Sequence, residues 1–93
     1  MFERRMNMKL RALPIEMIGW FDFSGDLKPV SFRFDIGGEL FKGRILSVQK
    51  KFKEKFAGND MEVFTCNVEI DGRQTLAEFK YEEATHKWML FKI

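Results

Sequence analysis

Cysteine, proline and histidine are scarce in this chain: one Cys, two Pro and one His among 93 residues. The lone Cys66 excludes an internal disulfide framework and fits a reducing compartment, so a cytoplasmic protein is expected. A single His86 removes every multi-histidine metal site and leaves any acid–base pair dependent on one imidazole. No apolar run approaches the roughly 20 residues that a membrane-spanning helix needs. The N-terminal stretch MFERRMNMKLRALPIEMIGWF lacks the apolar core of a signal peptide, because Pro14 and Glu16 interrupt it. Neither secretion nor a membrane partner is therefore expected. Charge of one sign is lacking too: 16 basic against 14 acidic side chains give a net charge of +2, with no global pull on a polyanion. GxxxxGK and GxGxxG are both absent, so no phosphate cradle of those kinds is present. No nucleophile, base and orienter stand in a recognisable set, and the chain is expected to be neither an enzyme nor a holder of a cofactor or metal.

What is present is apolar and aromatic. Hydrophobic residues make up 45% of the chain, with eleven Phe and two Trp, which is ample for the core of one compact domain. Residues 1–12 show no clear period and read as an N-terminal arm, which leaves 13–93 as a single β domain. From Pro14 the run IEMIGWFDF suits a pleated surface and ends at the turn-forming SGDLKP. VSFRFDI then alternates, with Val30, Phe32, Phe34 and Ile36 on one face. Gly37 and Gly38 permit a tight turn into LFKGRILSV, where Gly43 marks a bulge or a close approach. DMEVFTCNVEID places Phe64, Cys66, Val68 and Ile70 on one face, with Met61 and Val63 opposite. Asp71 and Gly72 are the strongest hairpin signal. RQTLAEFKYEE and KWMLFKI supply the last two strands on either side of EATH.

The expected fold is all-β, a six-stranded antiparallel meander curled into a small barrel or folded into two layers, because a flat sheet would expose both edges and an apolar face. The motifs GWFD at 19–22, FAGND followed by MEVFTC, and FKYEEATHKW resemble those of a group of small bacterial β-rich proteins with no known function. The likeness covers residues 14–93. It implies a bacterial cytosolic protein and carries over no catalytic or binding role.

One segment stands out by charge. Lys42, Arg44, Lys50, Lys51, Lys53 and Lys55 face only Glu54 between residues 41 and 55, while Asp60, Glu62, Glu69, Asp71, Glu78, Glu82 and Glu83 outnumber Arg73 and Lys80 between 60 and 83. Pairing of these segments as neighbours would absorb much of the basic character. As a helix, 47–57 would put Val48, Phe52 and Phe56 on one face, with Gly58 as its cap. As a strand it puts Lys51, Lys53 and Lys55 on one side and Lys50, Phe52, Glu54 and Phe56 on the other. The strand is preferred, because FAGND then turns a hairpin. A nucleic-acid site would use Lys50, Lys51, Lys53 and Lys55 on phosphates and Phe52 or Phe56 on bases. The competing reading is a strand edge protected by lysines.

The last run is apolar on both faces, Trp88 and Leu90 against Met89, Phe91 and Ile93. This suggests either a strand covered on both sides or a self-association surface through Trp88, Met89 and Phe91. A chelate of Glu82, Glu83 and His86 is outweighed by a solvated turn histidine, and Cys66 reads as a core thiol. Trp20 and Trp88 read as core or rim residues before they read as interface anchors. The function expected is that of a non-enzymatic interaction module, binding a second copy of the chain (a homodimer) or a protein partner. The alternatives are a nucleic-acid-binding barrel and, more weakly, a small-molecule pocket in the barrel mouth.

Overall fold

The computed structural model describes residues 9–93. Six strands follow in order: β1 (Lys9–Phe21), β2 (Leu27–Ile36), β3 (Glu39–Phe56), β4 (Asn59–Ile70), β5 (Arg73–Glu82) and β6 (Lys87–Lys92). Each pairs antiparallel with the next and β6 returns to β1, so the meander closes as a six-stranded barrel. Of the N-terminal arm expected over 1–12, residues 1–8 lie outside the described residues, and Lys9 onward already belongs to β1.

Turn chemistry sets the register. Three of the five connections are two-residue turns, Gly37 and Gly38, Ala57 and Gly58, Asp71 and Gly72, all with positive φ. That is the type I′ requirement, whose twist matches the flanking strands. The basic segment is strand: Lys50 to Phe56 pair in sequence with Thr65 to Asn59, which leaves no place for the helical alternative.

Val30, expected inside with Phe32 and Phe34, is 38% exposed instead. The register steps between Ile18 and Gly19, where Val30 has no partner, and Pro29 is buried in its place. Gly19 makes the step sterically feasible, since a Cβ there would lie 2.7 Å from the Lys28 carbonyl oxygen. Gly43 is a close approach rather than a bulge: it lies across from Phe32, whose ring a Cβ would meet at 2.4 Å.

The interior is filled by aromatic rings. Phe32 meets Phe79 edge-on at 4.9 Å, Phe64 packs on Trp88 at 5.3 Å, and Tyr81 lies 5.2 Å from Trp88. The rings occupy the interior beneath the barrel mouth, where the sequence reading set a small-molecule pocket as its weaker alternative, and a groove lies on the outer face. Ile93, expected beside Met89 and Phe91, joins the core cluster because the register steps at Phe91.

Strand β4 is buried on both faces. Met61 and Val63, opposite in direction to Phe64 and Cys66, are 1% and 0% exposed. Lys80 lies across from Val63, and its ammonium sits 4.9 Å from the Phe56 ring and 4.3 Å from that of Phe91 while pairing with Glu54 at 2.6 Å. This clasp also covers the second apolar face of β6.

Candidate interaction surfaces

The lysine row of β3 is largely compensated. Lys51 lies 3.6 Å from Glu62, Lys53 2.9 Å from Glu83 and Lys55 3.6 Å from Asp60. The register imposes part of this, setting Lys53 opposite Glu62 and Lys55 opposite Asp60. The hydrogen bond from Lys53 to Glu83 holds its ammonium above the ordinary lysine value. Lys50 has no ion pair among the described residues, but it shares the other face with Phe52 and Phe56. Phe56 packs edge-on against Phe91 at 5.6 Å. The six residues expected to grip nucleic acid are thus divided between two faces.

Trp88 is a core residue, 9% exposed and packed on Phe64, Phe79 and Tyr81. In the folded chain it is not available to a second molecule, which corrects its expected place in a self-association surface. Met89 and Phe91 are half-buried on the outer face. Trp20, by contrast, is 55% exposed.

The imagined chelate is dispersed. Glu82 accepts from the Thr85 hydroxyl at 2.7 Å, Glu83 holds Lys53, and His86 Nδ1 lies 2.7 Å from the Tyr81 hydroxyl. Burial, then the charges of Glu83 and Glu62, push the Tyr81 phenol up. No group of three or more His, Cys, Asp or Glu among the described residues is placed to hold a metal. Cys66 is fully buried, and burial pushes its thiol up to about 12, far from a nucleophile's range.

Closure of the barrel is complete only at its waist, and beyond it several stretches of strand pair with one neighbour alone. Among them, residues 16–21 of β1 pair only with β2, 27–30 of β2 only with β1, 45–56 of β3 only with β4, and 73–77 of β5 only with β4, while 9–15 of β1, 34–36 of β2 and 39–42 of β3 are one-sided towards the other end of the barrel. Unpaired edges invite other strands, and charge, proline and bulges blunt them. Lys28, Pro29 and the extra residue Val30 blunt the β2 stretch. Four lysines and register steps beside Leu46 and Gln49 blunt that of β3, and Arg73 and Gln74 make that of β5 polar. The β1 stretch, Glu16 to Phe21, has no such device. Its one charge, Glu16, is held by Arg33 at 2.5 Å. Around it Ile18 is 69% exposed, Trp20 55% and Phe21 57%, with Phe23 wholly exposed at the loop tip. Sequence reading placed IEMIGWFDF as a strand but missed this surface, although the run is apolar on both faces just as β6 is.

The outer face of β1 to β4 carries a groove of about 800 Å³. Across its floor Ser31 pairs with Arg44 and Arg33 with Lys42, so these four side chains form a block on adjacent strands. Neither Arg33 nor Lys42 was singled out by the sequence as a site residue, because their grouping depends on the β2–β3 register.

No known family model, curated protein or solved structure matches the chain. No helix among the described residues is long and apolar enough to cross a membrane.

Proposed function

We propose that the protein is a non-enzymatic interaction module that joins a second copy of itself through the outer edge of β1. The observation that carries this reading is the contrast between the apolar stretch 16–21 of β1 and the one-sided stretches of β2, β3 and β5 that charge, proline or register steps blunt. The β1 edge is also self-complementary. A two-fold axis through Ile18 sets Glu16 against the partner's Trp20, with no like charges opposed. Shifting the axis to Gly19 would bring Glu16 against the partner's Asp22, which disfavours that register. The inert thiol and the single, already engaged imidazole support a role without catalysis. A bacterial cytoplasmic setting, implied by the sequence likeness and the lone thiol, belongs to the same reading.

Sedimentation equilibrium tests it, comparing the wild type with Ile18→Lys, which sets two lysines across the axis and touches no core residue. The wild type is expected to dimerise with a Kd of roughly micromolar order, and the variant to sediment as a monomer with an unchanged thermal midpoint. A wild type that stays monomeric to about 0.5 mM, or a variant that dimerises equally well, would contradict the reading. Nucleic acid remains the second function in view, but with three of the four lysines paired to carboxylates the β3 row offers little uncompensated charge.

A further inference from the structure

We propose that the outer face of β2 and β3 holds a compact phosphate-bearing ligand between Arg33, Lys42 and Arg44. The charges in the groove are arranged in an order. Carboxylates stand on the outer strands, Glu16 of β1 on Arg33 Nε and Glu69 of β4 on Arg44 Nη2. Cations stand on the inner strands, with Ser31 as the fourth corner of their block. Directly opposed like charges destabilise a strand pair, yet Arg33 faces Lys42 across β2 and β3, and Lys42 has no carboxylate partner among the described residues. An anion bound between them relieves that repulsion.

The two carboxylates orient the guanidiniums more than they cancel them. Glu16 engages only the Nε of Arg33, which leaves both Nη groups to donate, and Glu69 engages only one nitrogen of Arg44. Guanidinium forks fit phosphate oxygens, and such charge-assisted hydrogen bonds are about twice as strong as neutral ones. Neighbouring strands about 4.8 Å apart and alternate residues about 6.7 Å apart bring the four groups of the block within reach of one phosphate.

The surroundings define the rest of the ligand. The groove volume of about 800 Å³ falls in the range of small-molecule sites. Glu16, Glu69 and Asp71 along its rim repel charge extending beyond the block, which disfavours a nucleic-acid strand and favours one phosphate on an uncharged body. Ile18, 69% exposed and across from Ser31, offers that body an apolar contact. The groove opens on the face of the sheet and not along the edge of β1, so its basic block on β2 and β3 stays open whether or not that edge is paired, and Ile18 is a residue both surfaces share.

The test is a titration of ¹⁵N-labelled protein followed by amide shifts, with inorganic phosphate, a nucleoside monophosphate and an oligothymidylate as probes. The monophosphate is expected to move amides of residues 31–44 with a Kd of about 1 mM or below, more tightly than inorganic phosphate. Lys42→Gln and Arg44→Gln, both on the exposed face, should each weaken it about tenfold while the protein stays folded, with Lys42→Gln no lower in thermal midpoint than the wild type because it removes the opposed charge. No shift at about 20 mM monophosphate, or shifts undiminished in both variants, would overturn the site. Tighter binding of the oligothymidylate per phosphate at the same residues would overturn the compact ligand.

Discussion

Ala57 occupies the first position of the β3–β4 turn with a φ of 53°, a left-handed conformation that an alanine adopts at a cost of about 1 kcal/mol. Asn at this position, followed by Gly58, is the pair such turns prefer. Ala57→Asn is expected to raise stability by roughly 0.5–1 kcal/mol in urea unfolding, with no change in the denaturant slope. A lower midpoint would mean that the turn is not held as described. The sequence showed the turn at FAGND but not its exact residues, since Asn59 and Asp60 read equally as turn formers and in fact open β4. Gly43 was legible as a special position. Its reason, the Phe32 ring lying over it, became visible only once β2 and β3 were in register.

Among the elements, the best-marked strands were those with one wet face. β5 alternated cleanly in the sequence and does so in the barrel. β2 alternated just as cleanly, yet the pattern misplaced Val30, because a bulge adds a residue without leaving a mark on composition. β6 raised the opposite problem: its two apolar faces called for a cover, and a second molecule was one candidate; in β4 Met61 and Val63 only gave the other face an apolar character. The cover is Lys80, which lies along the outer face with its side chain 11% exposed, its ammonium between two rings and on Glu54. Lys80→Ala removes both the cover and the partner of a half-buried carboxylate, and is expected to cost about 2–3 kcal/mol. Lys80→Met keeps the apolar stem beside Val63, and most of the stability should remain. Equal losses in the two variants, measured by chemical denaturation, would show that charge and not cover is what counts.

At the scale of the whole molecule, six strands and their order were readable from turns at regular spacing, and closure followed from the need to hide edges. The uneven closure was not readable. Which stretches outrun their neighbours depends on strand lengths and bulges, and so the candidate surfaces moved from β3 and β6, where charge and hydropathy drew attention, to β1, where the protection of edges is missing. Self-association is proposed to run through that edge. Hydrogen exchange read at single amides tests it most directly, comparing dilute and concentrated protein at equal pH. Alternate amides of residues 16–21 should exchange more slowly as concentration rises, while the free amides of 45–56 stay fast at every concentration. Exchange in β1 that is independent of concentration, or protection that builds up along β3 instead, would contradict it.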